Sequence, residues 1–198
     1  MHILGKNIIL RAIEQSDLDR FNEWGNDSDL WRLLGGWHFP VSRASTQAWF
    51  DGMQKDQSNL RLAVCNEELG VIGLANLLDL DWKNRHAFHG MMLGNPAARG
   101  KGIGLHAVMA IMRYAFDELG LNRLDGSMIE YNTASVRLYC GKCGWKEEGR
   151  QRGWYYRAGR YWDKIMVGVT REDYLELARS TQYWGTSETE DGAGSAQR

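Results

Sequence analysis

Apolar residues recur with two different spacings along this chain of 198 residues. From Leu105 to Leu119 they fall close to a period of 3.6, which predicts an amphipathic helix, and Gly120 is suited to end it. Short apolar runs at Leu60–Cys65 and Val71–Leu78 flank a polar turn, which predicts a β-hairpin. Arg85–Leu93 is expected to add a third antiparallel strand just before the long helix.

The N-terminal part of the chain predicts one strand followed by short helices. Asn7–Ile13 is rich in residues that favour strands. Ser16 is a suitable N-cap for the first helix, and Ser42 or Ser45 for the last. The helices expected here cover 17–24, 29–34 and a third segment that ends near Gln54.

The C-terminal part alternates strands and helices. Strands are expected over 123–129, 145–148 and 161–169, and helices over 133–142 and from Thr170 to about Ser180. Gly149–Gly159 is expected to form a loop between the last two strands. The whole order predicts one α/β (α+β) domain over residues 1–184, with a mixed, mostly antiparallel sheet flanked by helices. Residues 185–198 are rich in Gly, Ser, Thr and Glu, and we expect a flexible tail.

Composition narrows the class of protein. The formal charge is −1, which argues against a nucleic-acid partner because such proteins usually carry a basic face. No signal peptide and no apolar run of membrane-spanning length is evident, so we expect no membrane partner and a cytoplasmic location. Cys140-x-x-Cys143 lacks a second ligand pair for zinc and lies at a helix end, so we expect no metal site and no redox role.

Arg99–Gly104 is the stretch with the clearest chemistry. Its three glycines can turn backbone N–H groups toward one point, and the following helix directs its positive dipole end there. Such a site binds an anion, most often a phosphate, although a glycine turn that only starts a helix fits as well. A dinucleotide loop is a further alternative, because Gly102-x-Gly104-x-x-Ala107 is followed by Asp125, but the linker 94–101 separates that motif from its strand.

Two ordered motifs carry a resemblance to a known family. Arg99-x-x-Gly102-x-Gly104 resembles the (Gln/Arg)-x-x-Gly-x-(Gly/Ala) pyrophosphate loop of the GNAT superfamily of acetyl-CoA-dependent N-acetyltransferases. Asn132-x-x-Ser135-x-x-Leu138-Tyr139 and the following Gly144-Trp145 resemble a second segment of that family. One residue more than usual separates Tyr139 from Gly144, so we expect a distorted helix end. The similar layout runs from about Ile8 to Tyr174.

The resemblance implies which residues would hold acetyl-CoA. Backbone groups of the glycine loop would bind the pyrophosphate, those of the preceding strand the thioester carbonyl, and the pantetheine arm would lie beside that strand. The implied cofactor-binding residues are Met91, Met92, Leu93, Arg99, Gly100, Lys101, Gly102, Ile103, Gly104, Asn132, Ser135 and Tyr139. Tyr139 is at the position of the family's general acid, which protonates the leaving thiolate.

The residue that deprotonates the acceptor amine stays open. Many relatives have a glutamate on the strand before the glycine loop, and the matching residue here is Phe88. His89 and Glu130 are the candidates we name with Tyr139 for catalysis, while His86, Asp79 and Asp81 are expected near the same end of the sheet. One of them could act directly or through water, or none of them acts.

The acceptor is expected to be a small primary amine. Phe21–Asp27 and Gly159–Asp163 resemble segments of the branch that holds ribosomal-protein N-terminal, spermidine and amino-sugar acetyltransferases. The resemblance implies direct transfer through a ternary complex, to an amino sugar or a polyamine, with a protein N-terminus or an aminoglycoside as the alternative. It also implies a homodimer. Candidate substrate-binding residues are Trp24, Trp31, Trp37, His38 and Asp79.

Overall fold

The computed structural model describes residues 2–36, 39–53 and 55–185. Its strands are β1 (Ile3–Gly5), β2 (Ile8–Ala12), β3 (Leu60–Asn66), β4 (Gly70–Asp81), β5 (His86–Leu93), β6 (Arg123–Ile129), β7 (Lys146–Arg157) and β8 (Arg160–Thr170). Its α-helices are α1 (Leu18–Gly25), α2 (Ser28–Leu33), α3 (Arg43–Met53), α4 (Ile103–Arg113), α5 (Thr133–Lys142) and α6 (Arg171–Ser180). Trp37, His38 and residues 186–198 lie outside the described residues, so the expected tail stays a prediction.

One eight-stranded sheet organises the chain. Its order is β1-β2-β3-β4-β5-β6-β8-β7, and every neighbouring pair is antiparallel except β5 and β6. The predicted mixed, mostly antiparallel sheet flanked by helices is therefore confirmed. Within the described ranges, no helix has both the length and the apolar character needed to cross a bilayer.

Two apolar cores cover the two faces of the sheet. The larger core packs α4 and α5 on one face, and Trp145, Phe116 and Tyr174 are among its largest buried side chains. The smaller core packs α1–α3 on the opposite face around Phe21 and Trp24. The alternation of side chains along each strand assigns alternate residues to the two faces.

The N-terminal predictions need two corrections. β1 was not expected, because its three residues are too few to produce a pattern. Ser16 is not the N-cap: it lies inside a short 3-10 turn, where Asp17 accepts a hydrogen bond from the Glu14 N–H. Arg11 also binds the Asp17 carboxylate, at 2.7 Å. By contrast, the Ser42 hydroxyl accepts from the Ser45 N–H at the start of α3, as predicted.

The expected loop over Gly149–Gly159 is wrong. β7 and β8 instead form a long hairpin that turns at Ala158-Gly159. The register between the two strands shifts after Glu147 and again after Gln151. Gly149 and Gly153 lie at these irregularities, where one and two extra residues are accommodated without ending the strand, and Gly159 lies in the turn.

The end of α5 is widened, as the extra residue in the second motif led us to expect. The Cys143 N–H donates to both Leu138 O (3.1 Å) and Tyr139 O (3.2 Å), and Gly144 adopts a positive φ of 75°. A bond that spans five residues is typical of a local π-type turn. The extra residue therefore enlarges the last turn while the helix up to Lys142 keeps its predicted bounds.

Candidate active site

The two parallel strands at the centre of the sheet separate soon after they meet. β5 and β6 are paired only where His86–Phe88 lies beside Arg123–Asp125. Beyond that point β5 continues to Leu93 and β6 to Ile129 without further pairing between them. A wedge therefore opens between residues 89–93 and 126–129, in which backbone polar groups of both strands are available to a ligand.

The glycine loop lies at the open end of this wedge. Gly100 and Gly102 have positive φ values of 76° and 78°, which the other residue types adopt only with strain. α4 begins at Ile103, and the first N–H groups of a helix have no partner inside it. In the part of the chain that the structure describes, the N–H groups of residues 100–104 donate to no backbone carbonyl of another loop or strand. The loop therefore offers a set of free donors next to an exposed lysine, Lys101.

Two contacts fix where the loop begins. The Arg99 guanidinium folds back onto the carbonyls of Leu93 (3.2 Å) and Gly94 (3.4 Å), so its charge stays beside the wedge. The Trp24 indole lies so close to Gly94 that a methyl group there would be 2.1 Å from the ring. Trp24, a predicted substrate-binding residue, is thus buried against the start of the loop.

The remaining predicted cofactor-binding residues lie on β5 and at the start of α5. Met91, Met92 and Leu93 are half-buried on β5. The Asn132 side chain caps α5 by accepting from the Ser135 N–H (3.2 Å), and its amide donates to the Leu33 carbonyl (3.0 Å) at the end of α2. Asn132 therefore joins α5 to the helical layer on the other face of the sheet.

At the closed end of the wedge, Tyr139 and His89 are joined inside the core. The Tyr139 hydroxyl is 3.0 Å from His89 Nε2, and His89 Nδ1 is 2.9 Å from the Asn76 carbonyl oxygen. A carbonyl only accepts, so Nδ1 carries the ring proton and Nε2 of the neutral ring is an acceptor. Tyr139 therefore donates its hydroxyl proton to His89.

Burial keeps both groups neutral. His89 is 3% exposed and Tyr139 8% exposed. Desolvation lowers the pKa of His89 to about 4, against a smaller opposing effect of its bond to Asn76. Desolvation also raises the pKa of Tyr139 well above its usual range. The phenol thus keeps its proton, and the imidazole stays uncharged throughout the physiological range of pH.

Trp145 completes this cluster. Its ring lies edge-on to Tyr139, with centroids 5.1 Å apart, and 5.8 Å from His89. Its Nε1 is buried without a hydrogen-bond partner among the described residues, and so is Oδ1 of Asn76. Each of these polar atoms is therefore free to bond with a ligand that reaches it.

The other predicted site residues are more scattered. The Glu130 carboxylate accepts a hydrogen bond from the Asp163 N–H (3.0 Å) and so joins the end of β6 to β8. Asp79 is exposed at a bulge with a φ of 52°, and its N–H donates to Asn59 (2.9 Å). Trp31 is half-buried on α2, whereas Trp37 and His38 lie outside the described residues.

Sequence reasoning missed Asn76, Tyr131 and Tyr155. Asn76 interrupts the apolar run of β4, and that lone polar residue was the available signal. The Tyr131 hydroxyl donates to the Arg32 carbonyl, and Tyr155 packs against Gly35, two contacts between segments far apart in sequence. No local pattern could have revealed these pairs.

The cysteines and possible metal ligands that the structure describes lie within the ranges 2–36, 39–53 and 55–185. The three cysteines are free, and the residues that the structure describes contain no group of three or more His, Cys, Asp or Glu able to hold a metal ion. Burial raises the pKa of the Cys143 thiol to about 12, which makes it a poor nucleophile.

Comparison with known proteins agrees with this geometry. The solved structure of a spermidine N-acetyltransferase from Vibrio cholerae, in complex with CoA and spermine, superposes with a TM-score of 0.79 at 24% identity, covering 85% of this chain and 98% of that one. Among curated relatives, the SPbeta prophage-derived uncharacterized N-acetyltransferase YokL of Bacillus subtilis is 28% identical over 86% of this chain and 93% of its own length. Human alpha/beta-tubulin-N-acetyltransferase 9 is 25% identical over 69% and 72% of the two chains.

The family model described as an acetyltransferase (GNAT) domain matches residues 7–146, which is most of the described chain. The match includes the wedge, the glycine loop and the Asn132–Tyr139 segment. The chain therefore belongs to the GNAT family and is an acetyl-CoA-dependent acyltransferase.

Proposed function

We propose that the chain transfers the acetyl group of acetyl-CoA directly to a primary amine of a small molecule, within a ternary complex. The observation that carries this proposal is the buried Tyr139–His89 pair at the closed end of a wedge whose open end is the glycine loop. The Vibrio cholerae enzyme, with CoA and spermine bound, supports a small amine as the acceptor.

The glycine loop would bind the diphosphate of acetyl-CoA. Free N–H groups at residues 100–104 and the positive end of the α4 dipole favour an anion there. The unpaired edges of β5 and β6 would hydrogen-bond the amide groups of the carrier arm, much as a neighbouring strand does. A backbone N–H of Met91–Leu93 would then stabilise the oxyanion that forms on the thioester carbonyl.

Tyr139 would protonate the leaving thiolate. The leaving group is a thiolate, and an ordinary thiol has a pKa of about 8.5. Burial keeps the Tyr139 phenol protonated at every physiological pH, so its O–H is available to stabilise that thiolate. In the step, the C–N bond forms and the C–S bond breaks, and the Tyr139 hydroxyl passes its proton to sulfur as it takes up the proton that the nitrogen releases, so no buried phenolate forms. The proton that the amine loses restores the phenol, so atoms and charge balance.

His89 is assigned to holding Tyr139 and not to deprotonating the amine. Both ring nitrogens already have partners, and a pKa of about 4 makes the ring a weak base. Glu130 is assigned to fixing β8, because its carboxylate accepts the Asp163 N–H. No side chain of the described wedge is then required as a strong base, and the neutral fraction of the amine reacts.

Asn76 would orient the acceptor amine. It is paired with Gly90 in register, and a methyl group at Gly90 would lie 3.9 Å from the Asn76 amide nitrogen. Its buried Oδ1 has no hydrogen-bond partner in the described chain. An amine that approached the wedge from the α1–α3 face would supply the missing donor, with its lone pair directed toward the thioester.

The proposal is tested by ligand binding followed by turnover. Acetyl-CoA at 100 times its dissociation constant should stabilise the fold by about 2.7 kcal/mol in a thermal-shift assay, with no effect of NAD or ATP. A panel of primary amines should then release free CoA thiol. A shift with NAD and none with acetyl-CoA would support the alternative of a nicotinamide-dinucleotide-binding protein and remove this proposal.

A further inference from the structure

The β7–β8 hairpin forms one wall of the opening on the α1–α3 face. Tyr155 packs against Gly35. A methyl group added at Gly35 would lie 2.5 Å from the Tyr155 hydroxyl. Trp162 lies opposite Tyr155 in register, and its ring packs edge-on against Tyr131 with centroids 4.7 Å apart. Tyr131 in turn donates to the Arg32 carbonyl at the end of α2. The hairpin is therefore fixed beside the opening through which we expect the acceptor to enter.

This wall is strongly basic in a chain that is slightly acidic overall. Residues 150–164 contain five Lys or Arg and one Asp, a formal charge of +4 in a chain of −1. Among the ion pairs of the described residues, Arg150 pairs with Glu147, whereas Arg160 and Lys164 take part in none. Arg160 and Lys164 are therefore not neutralised by an ion pair within the described part of the chain.

Two of these cations are held by aromatic rings. The Arg160 guanidinium lies 3.4 Å from the centroid of the Trp162 ring, and the Lys164 ammonium lies 4.6 Å from that of Trp154. Stacking on an aromatic ring fixes the position of a cation. The N–H donors that point away from the ring stay available to a ligand. Trp154 is itself 55% exposed, so its ring is accessible beside Lys164.

Three carboxylates near this opening already accept backbone N–H groups. Glu130 accepts the Asp163 N–H, and the Asp163 carboxylate accepts the Gly153 N–H (2.9 Å). On the helical layer, Asp27 caps α2 by accepting from the N–H groups of Asp29 and Leu30. A polyamine would need several free carboxylates at the opening, because it carries positive charge along its whole length. The arrangement disfavours such a substrate.

We infer that the acceptor amine is carried by a small molecule that also bears an oxyanion, a phosphate or a carboxylate, bound by Arg160 and Lys164. The inference rests on the proposed function and specifies its substrate class. The amine enters the wedge near Asn76 while the oxyanion stays at the hairpin.

The test compares acceptors that differ only in the anion. Glucosamine and glucosamine 6-phosphate form one pair, and an amino alcohol with its phosphate ester forms another, with spermidine and an acidic peptide alongside. Free-thiol release gives kcat/KM for each acceptor. We expect at least about a tenfold higher kcat/KM for each phosphorylated member, a ratio that falls as NaCl rises because exposed charges are screened.

Charge-neutralising variants assign the effect to the hairpin. Arg160→Gln combined with Lys164→Gln should abolish the preference for the phosphorylated member, while kcat/KM for the unphosphorylated amine and KM for acetyl-CoA stay within about twofold. Arg179→Gln on α6, which removes the same charge from a distant exposed site, is the matched control and should keep the preference.

Several outcomes would overturn the inference. These are equal kcat/KM within each pair, a preference for spermidine or for the acidic peptide, and a double variant that raises KM for acetyl-CoA. The last result would mean that the hairpin cations bind the carrier's own phosphates. Failure of acetyl-CoA to shift the melting temperature would instead reject the proposed function itself, so the two failures are distinguishable.

Discussion

The Tyr139 hydroxyl and the His89 ring are paired where almost no water reaches them, and that pairing decides how each can act. A phenol that donates to a neutral imidazole is oriented without being ionised. In the mechanism we propose, this bond breaks when the proton moves to sulfur, so the resting site holds the donor in place before the reaction. Sequence reasoning named both residues but could not predict their contact, because they are 50 positions apart.

Tyr139→Phe should lower kcat by about 10²–10⁴ and leave acetyl-CoA affinity within about twofold, because only the proton donor is lost. Steady-state kinetics with a free-thiol readout and a thermal-shift titration measure the two quantities. Tyr174→Phe is the matched control, since Tyr174 is buried in the same core and its hydroxyl accepts from Trp184. Unchanged turnover in Tyr139→Phe would remove the residue from its role.

His89 should make the fold less stable in mild acid. Its folded pKa of about 4 is below the ordinary value of 6.5. Between those values the unfolded chain binds a proton that the folded chain excludes, so the free energy of unfolding falls as pH falls from 6.5 to 4. A shift of this size corresponds to about 3 kcal/mol.

The measurement is urea unfolding at pH 7, 5.5 and 4 for the wild type and for His89→Gln. Glutamine cannot titrate, so the variant should lose about 3 kcal/mol less over this range, even if it is less stable at pH 7. Parallel pH dependences in the two proteins would mean that His89 is not buried in its neutral form.

At the scale of elements, the glycine loop depends on the separation of β5 from β6 and on the contact of Trp24 with Gly94. The sequence predicted the loop and both flanking elements, because each carries its own local signal. It could not predict the wedge, because nothing in either strand encodes that their pairing ends at Phe88. The β7–β8 hairpin was predicted as a loop. Its glycines interrupt the strand-like residue pattern in the sequence, but β7 and β8 stay paired on both sides of them.

Gly102→Ala should weaken acetyl-CoA binding about tenfold, because a side chain at a φ of 78° is strained and the loop would rearrange to relieve it. Isothermal titration with CoA measures the change. Gly52→Ala on α3, where an added methyl group meets no atom within 4 Å, is the control and should bind CoA normally. Equal affinity in both variants would show that the loop conformation does not matter for binding.

Gly94→Ala should destabilise the fold by about 1–3 kcal/mol, because the new methyl group would overlap the Trp24 ring. Urea unfolding measures the loss. Adding Trp24→Leu should restore part of the stability, since a smaller side chain makes room for the methyl group. If the single variant is as stable as the wild type, the indole does not support the loop in the way described.

At the scale of the whole molecule, the chain is one GNAT acetyltransferase domain, and a basic hairpin lies beside the opening that we propose for the acceptor. The fold class and most element bounds followed from apolar periodicity and capping residues, because local patterns determine them. The candidate site could be predicted from the sequence only in part. The side that we propose for the acceptor is built from contacts between distant segments, such as that of Tyr155 with Gly35. A Vibrio cholerae relative is described as a dodecamer, and a homodimer of this chain remains our expectation, which light scattering at several concentrations checks.

The most direct test of the central claim is a crystal structure of the full chain with CoA. The account predicts the diphosphate on the N–H groups of residues 100–104, the carrier arm between β5 and β6, and the sulfur within hydrogen-bond reach of the Tyr139 hydroxyl. Diphosphate bound elsewhere, or a sulfur separated from Tyr139 by another side chain, would contradict it.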